Sequence, residues 1–155
     1  MPLEPGDKAP DFTLVDQHGE PFKLSQSIRR TKASHLVYFY PKADTPGCTT
    51  QSCGLRDIAG DIGDTVIVGI SPDSPARQAR FDEKYGLGFS LLADEDHTVA
   101  DAYGVWGEKS MYGKKFMGIV RSAFLIDAKG RVADAWYKVS PKDTPTNLLA
   151  ALDAG

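Results

Sequence analysis

The sequence predicts an α/β domain in which helices cover both faces of a mixed sheet. Two observations carry this reading. The runs His35–Tyr40 and Thr65–Ser71 are continuously apolar, as strands buried on both faces are, and a helical segment stands between them. Near the C-terminus, Val120–Asp127 and Val132–Val139 are joined by Ala128-Lys129-Gly130, a hairpin that adds antiparallel strands.

The other elements follow in chain order. Asp11–Val15 and Pro21–Leu24 flank Asp16-Gln17-His18-Gly19-Glu20 and read as an N-terminal hairpin. A helix is expected from Thr45 to about Gly60, weakened at its end by Gly60 and Gly63. Ser74–Tyr85 carries a Ser-Pro start and Gly86 beyond its end, the marks of a second helix. Ser90–Ala93 is a short strand, and His97–Tyr103 a short helix closed by Gly104. Trp106–Gly118 is polar and glycine-rich and is expected to be a long loop. Thr144–Leu152 closes the chain as a helix. This β-α-β-α order with a terminal β-β-α unit fits a thioredoxin-like fold with an N-terminal β-hairpin extension. A chain of 155 residues, without repeats or linkers, is expected to form one domain over residues 1–155.

Composition narrows the partners. A net charge of -3 leaves no basic footprint for nucleic acid and no polybasic patch for a membrane surface. No run reaches the roughly 20 apolar residues of a membrane span. The first residues lack the charged start and apolar core of a signal peptide, which favours a cytoplasmic location. Two cysteines are too few for a disulfide scaffold in a chain of this size. His18, His35 and His97 lack paired spacing, so neither a metal nor another cofactor is expected. Trp106 and Trp136 are expected to pack.

The segment most directly tied to chemistry is Pro41-Lys42-Ala43-Asp44-Thr45-Pro46-Gly47-Cys48, which follows the strand ending at Tyr40. Thr45 suits a helix N-cap and Pro46 the first helical position, so Cys48 falls at the third. A thiol there lies beside unpaired backbone N–H groups and the positive end of the helix dipole, and both favour thiolate. In an open α/β sheet this turn also sits at the carboxyl edge of the strands, where ligands bind. Cys53 follows five residues along the same helix, the layout of a redox-active nucleophile and a resolving partner.

The segment Tyr38–Thr49 resembles the active-site segment of peroxiredoxins, whose signature Pro-x-x-x-Thr-x-x-Cys is met here by Pro41, Thr45 and Cys48. The step to Cys53 resembles the bacterioferritin comigratory protein group, or Q group. The similarity continues through Gly6–Leu14, Gly69–Asp73, Leu91–Asp94, Tyr103–Gly107 and Arg121–Asp127. The resemblance implies a thiol peroxidase that reduces hydrogen peroxide and organic hydroperoxides, is recycled by thioredoxin or a similar dithiol, and is commonly a monomer, with a dimer left open. It implies that Cys48 attacks the peroxide and becomes a sulfenic acid, and that Cys53 then closes an intramolecular disulfide. Thr45 would bind peroxide and thiolate through its hydroxyl, Arg121 would stabilise charge on sulfur and on the leaving oxygen, and Pro41 would shield the site. Backbone N–H groups of Gly47 and Cys48 would complete the donor set. Gly54 departs from the group's usual pattern and is expected to loosen the helix just past Cys53.

Plainer readings stand beside these. A lone cysteine is more often an inert core residue, Thr45 could be a cap alone, and an arginine beside a strand is usually a surface charge. Arg56 is read as such a structural charge. A general dithiol oxidoreductase is a competing function, but it usually relies on Cys-x-x-Cys. A peroxide sensor, redox relay or chaperone is another. Five residues along an ideal helix separate Cα atoms by roughly 8.6 Å, whereas a disulfide needs about 7 Å or less. A Cys48–Cys53 bond therefore requires the helix between them to unwind.

Overall fold

A computed structural model of the chain describes residues 3–154. Nine strands and five helices alternate in it: β1 (Thr13–Asp16), β2 (Pro21–Lys23), α1 (Leu24–Thr31), β3 (His35–Phe39), α2 (Pro46–Asp57), β4 (Val66–Ser71), α3 (Pro75–Tyr85), β5 (Ser90–Ala93), α4 (Thr98–Ala102), β6 (Trp106–Met111), β7 (Lys114–Ile119), β8 (Ser122–Ile126), β9 (Val132–Trp136) and α5 (Asp143–Ala154). Seven strands form one mixed sheet in the order β2-β1-β5-β4-β3-β8-β9. β3 pairs parallel with β4 and antiparallel with β8, and β4 pairs parallel with β5. The N-terminal hairpin joins the sheet through antiparallel pairing of β1 with β5.

β3 lies inside the sheet between β4 and β8, and all five of its residues are buried. Its side chains alternate between two cores, as strand geometry requires. Val37 and Phe39 pack with Val68, Ile70 and Phe124 beneath α1 and α4. Leu36 and Tyr38 pack with Ile67, Leu91 and Leu125 beneath α2, α3 and α5. Gly69 makes room in the second layer: a Cβ there would fall 2.9 Å from the Tyr38 ring.

The two helices with clear sequence punctuation form where expected. Ser74 caps α3 by accepting the Arg77 N–H at 3.3 Å, and Gly86 ends it in the left-handed conformation. α2 starts at Pro46 behind Thr45 and runs unbroken through both cysteines, ending at Asp57 ahead of a short 3-10 turn over Ala59–Asp61.

One expectation is corrected, and one helix stands where none was expected. Trp106–Gly118 is not a loop: β6 and β7 form a separate two-stranded hairpin, in register from Trp106↔Ile119 to Met111↔Lys114. Its turn residues Tyr112 and Gly113 both have positive φ, at 52° and 77°, the geometry of a tight primed turn. Most of the hairpin is exposed, so no apolar alternation marks its strands. The segment after β2 is also helical. α1 buries Leu24 and Ile28 one turn apart, but it has no side-chain cap, and its Lys32 end takes the left-handed conformation that glycine usually supplies.

Candidate active site

The site is assembled where β3 gives way to α2. Between them, the turn Pro41–Thr45 is anchored on two sides. On the inner side, the buried Asp73 carboxylate accepts the Ala43 N–H at 2.7 Å and the Ser71 hydroxyl at 2.6 Å. Gln78 donates to the same Ser71 oxygen at 2.8 Å and to the Leu92 carbonyl at 2.9 Å, and receives the Tyr40 hydroxyl proton. On the outer side, Asp44, held at a φ of 61°, accepts from Lys84 at 3.0 Å and from the Tyr85 hydroxyl at 2.8 Å. The backbone that delivers Cys48 is thus tied to β4 and α3 before the helix begins.

Cys48 is fully buried, and Cys53 is half-buried; both are free thiols. The first backbone bond of α2 runs from Thr49 N to Thr45 O at 2.8 Å, so the N–H groups of Gly47 and Cys48 precede the helical ladder. The Arg121 guanidinium donates through Nη2 to Cys48 Sγ at 3.3 Å and through Nη1 to Gln51 Oε1 at 2.8 Å. Gln51 in turn donates to Thr144 Oγ1 at 2.9 Å. A chain of polar contacts therefore runs from α5 through the buried Gln51 to Arg121 and the sulfur. Gln51 has no motif of its own. The available signal was its spacing of three residues from Cys48, which puts both on one helix face.

Two glycines are required by close approach. A Cβ on Gly47 would stand 3.0 Å from Arg121 Nη2, so glycine keeps the path of the guanidinium to Cys48 open. A Cβ on Gly54 would meet Pro145 Cγ at 2.8 Å. The expected weak point after Cys53 is thus also a place where α2 packs closely on α5.

The remaining residues fall into place unevenly. Thr45 stands at the N-cap position but makes no side-chain cap bond, and its hydroxyl donates to the Lys42 carbonyl at 2.8 Å rather than to Cys48. Pro41 is half-buried at the start of the same turn. Behind the sulfur, the buried Tyr38 hydroxyl shares a 2.7 Å bond with Ser52. Burial, and then the charges of Cys48 and Cys53, push its phenol far above the usual tyrosine range, so Tyr38 acts as a neutral strut under α2. Arg56 pairs with Asp57 at 2.9 Å on the surface, as a structural charge would. Trp106 packs face to face on His97, with ring centroids 3.8 Å apart.

A buried thiol at a helix start with a guanidinium on its sulfur can attack an electrophile and stabilise an anion as it leaves. The chain is similar to known proteins over most of its length. The family model described as AhpC/TSA matches residues 5–135. Peroxiredoxin Bcp of Bacillus subtilis is 46% identical over 155 aligned residues, covering 98% of this chain and 96% of the relative. Peroxiredoxin Bcp of Escherichia coli is 51% identical over 133 residues, covering 84% and 83%. The crystal structure of peroxidoxin BcpB from Mycobacterium tuberculosis superposes with a TM-score of 0.85 at 35% identity, covering 98% of this chain and 97% of that one. The bacterioferritin comigratory protein of Xanthomonas campestris, studied for alkyl peroxide reduction in trapped intermediate and ligand complexes, gives 0.84 at 35% identity, covering 92% and 90%. The chain belongs to the AhpC/TSA family.

Proposed function

We propose that this thiol-dependent peroxidase uses Cys48 as its peroxidatic nucleophile and Cys53 as its resolving thiol. The observation that carries the reading is the 3.3 Å contact of Arg121 with a buried sulfur at the start of α2. The Cys48 thiolate attacks one peroxide oxygen, the O–O bond breaks, and the second oxygen leaves as water or an alcohol after taking a proton. Cys48 becomes a sulfenic acid and the peroxide is reduced by two electrons. Arg121 and the N–H groups of Gly47 and Cys48 face the charge that builds on the departing oxygen. The Thr45 hydroxyl must leave the Lys42 carbonyl to donate to a peroxide, and Pro41 limits access of water. The Cys53 sulfur then attacks the sulfenic sulfur, forms the S–S bond and releases water. A dithiol reductant, which we assign to the thioredoxin class, returns both thiols.

Among the described residues no helix is long and apolar enough to cross a membrane. A monomer working in the cytoplasm, where thiols are kept reduced, suits two free cysteines. Cys48→Ser is expected to abolish hydrogen peroxide and alkyl hydroperoxide consumption coupled to thioredoxin, because an alcohol does not ionise near neutral pH. Turnover by that variant would overturn the assignment, and a wild-type protein that consumed no peroxide would remove the function itself.

A further inference from the structure

Lys109 stands on β6 opposite Phe116 of β7, in a hairpin whose other lysines, Lys114 and Lys115, extend into solvent. Lys109 does not follow them. It is half-buried, and its ammonium donates to the Ile119 carbonyl at 2.8 Å. Its stem lies over Gly118, where a Cβ would come within 3.1 Å of Lys109 Cδ. Ile119 is two residues before Arg121, so this tether holds a second positive charge beside the segment that brings the guanidinium to Cys48. Folding a long charged side chain inward costs rotamer freedom and hydration, and its bond is to a carbonyl, not to a neutralising carboxylate.

We propose that Lys109 is a second cation of the peroxidatic site, a positioning residue that shares with Arg121 the stabilisation of negative charge at Cys48. The inference rests on the peroxidase reading above. The charged groups that Lys109 senses are Arg121 and Cys48. Burial, and then Arg121, pull its ammonium below the usual lysine range, while the charge of Cys48 opposes them. Cys48 itself receives the Arg121 guanidinium from the residue just before β8, while Lys109 is tied from the hairpin to the strand end leading into that arginine, and the neutral Tyr38 lies on β3 bonded to Ser52 of the cysteine helix. A hairpin outside the main sheet thus delivers charge to the site, which gives this two-stranded appendage a role in the chemistry.

The test uses the full chain in a Cys53→Ser background, so that Cys48 is the only thiol that can be alkylated. Lys109→Gln keeps an N–H donor for the Ile119 carbonyl and removes the charge, Lys109→Met removes both, and Lys109→Arg keeps the charge. For Gln and Met, the pH at half-maximal iodoacetamide alkylation should rise by about half a unit, the size expected of one partly screened charge. The ratio of iodoacetate to iodoacetamide rates, which cancels the thiolate population, should fall about two- to threefold. Arg should restore both. Wild-type values in Lys109→Gln, even if Lys109→Met moves, would overturn the proposal and leave a hairpin tether. Failure of Arg to restore them would overturn it equally. Alkylation needs no peroxide, so a protein without peroxidase activity would still show whether Lys109 acts on the sulfur.

Discussion

Arg121 is worth more to the site than its single contact with sulfur indicates, because it spans two partners at once. One guanidinium nitrogen addresses Cys48 and another is held by Gln51, which fixes the plane of the fork. Removing a fixed donor of this kind typically costs roughly a hundredfold to a thousandfold in rate. Arg121→Ala is expected to lose that much of the second-order rate with hydrogen peroxide. Gln51→Ala should lose about tenfold, because the charge remains while its aim is lost. Stopped-flow peroxide kinetics, with thermal melts to verify the fold, would measure both. An Arg121→Ala rate equal to wild type would show that the contact plays no part in turnover. Cys48 and its neighbours were legible in the sequence because proline, threonine and glycine punctuate a helix start by local rules. Gln51, Asp73 and Lys109 were not, because each acts through a partner distant in sequence.

At the scale of elements, α2 carries a conflict between its two cysteines and its own geometry. Both lie in one unbroken helix, and the ideal spacing of roughly 8.6 Å exceeds the reach of a disulfide at about 7 Å. A bond between them would therefore require the first turns to unwind. The contacts on either side set what can move: Asp73 and Asp44 hold the incoming turn, and Gly54 packs closely against Pro145. Opening is expected between them, over residues 46–53. Amide hydrogen exchange should show protection there in the reduced protein and its loss in the disulfide form. Equal protection in both forms, with the bond confirmed by mass spectrometry, would refute this hinge. Elements with end signals or continuous apolar runs, such as β3, β4 and α3, were readable from sequence. α1 and the β6–β7 hairpin were not, since one has just two large apolar anchors and the other shows solvent most of its surface.

The whole molecule has a pH dependence set far from the site. His35 is buried at the start of β3, bonded to the Ser27 hydroxyl at 2.8 Å and the Ala33 carbonyl at 3.1 Å. Burial lowers its pKa below 6.5, against a smaller opposing effect of the Ala33 bond. The unfolded chain therefore binds the proton more readily than the folded one. Stability from this group is complete above about pH 6.5 and is lost as pH falls toward the folded value. Urea midpoints should drop between pH 7 and pH 5, and His35→Gln should flatten that drop even though it lowers the midpoint at pH 7. A slope unchanged by the substitution would place the dependence elsewhere.

The separate hairpin also bears on how copies of the molecule meet. Among the described residues β6 and β7 pair only with each other, so each presents an outer row of backbone donors and acceptors, and Phe116, Met117 and Tyr112 stand exposed beside them. Such rows are templates for strand addition by another chain. Lys114, Lys115 and Glu108 lie on these rows, with Lys115 and Glu108 paired at 3.6 Å, and a second copy would have to strip their hydration to dock. Replacing Lys114 and Lys115 together by valine should turn a dispersed protein into one whose light scattering climbs with concentration, while its peroxide chemistry stays intact in the unassociated fraction. No rise in scattering would mean that the apolar residues and open edges are harmless without their charges. With a rise, the lysines of one small ribbon divide their work: one turned inward to the sulfur, two turned outward to keep neighbouring molecules apart.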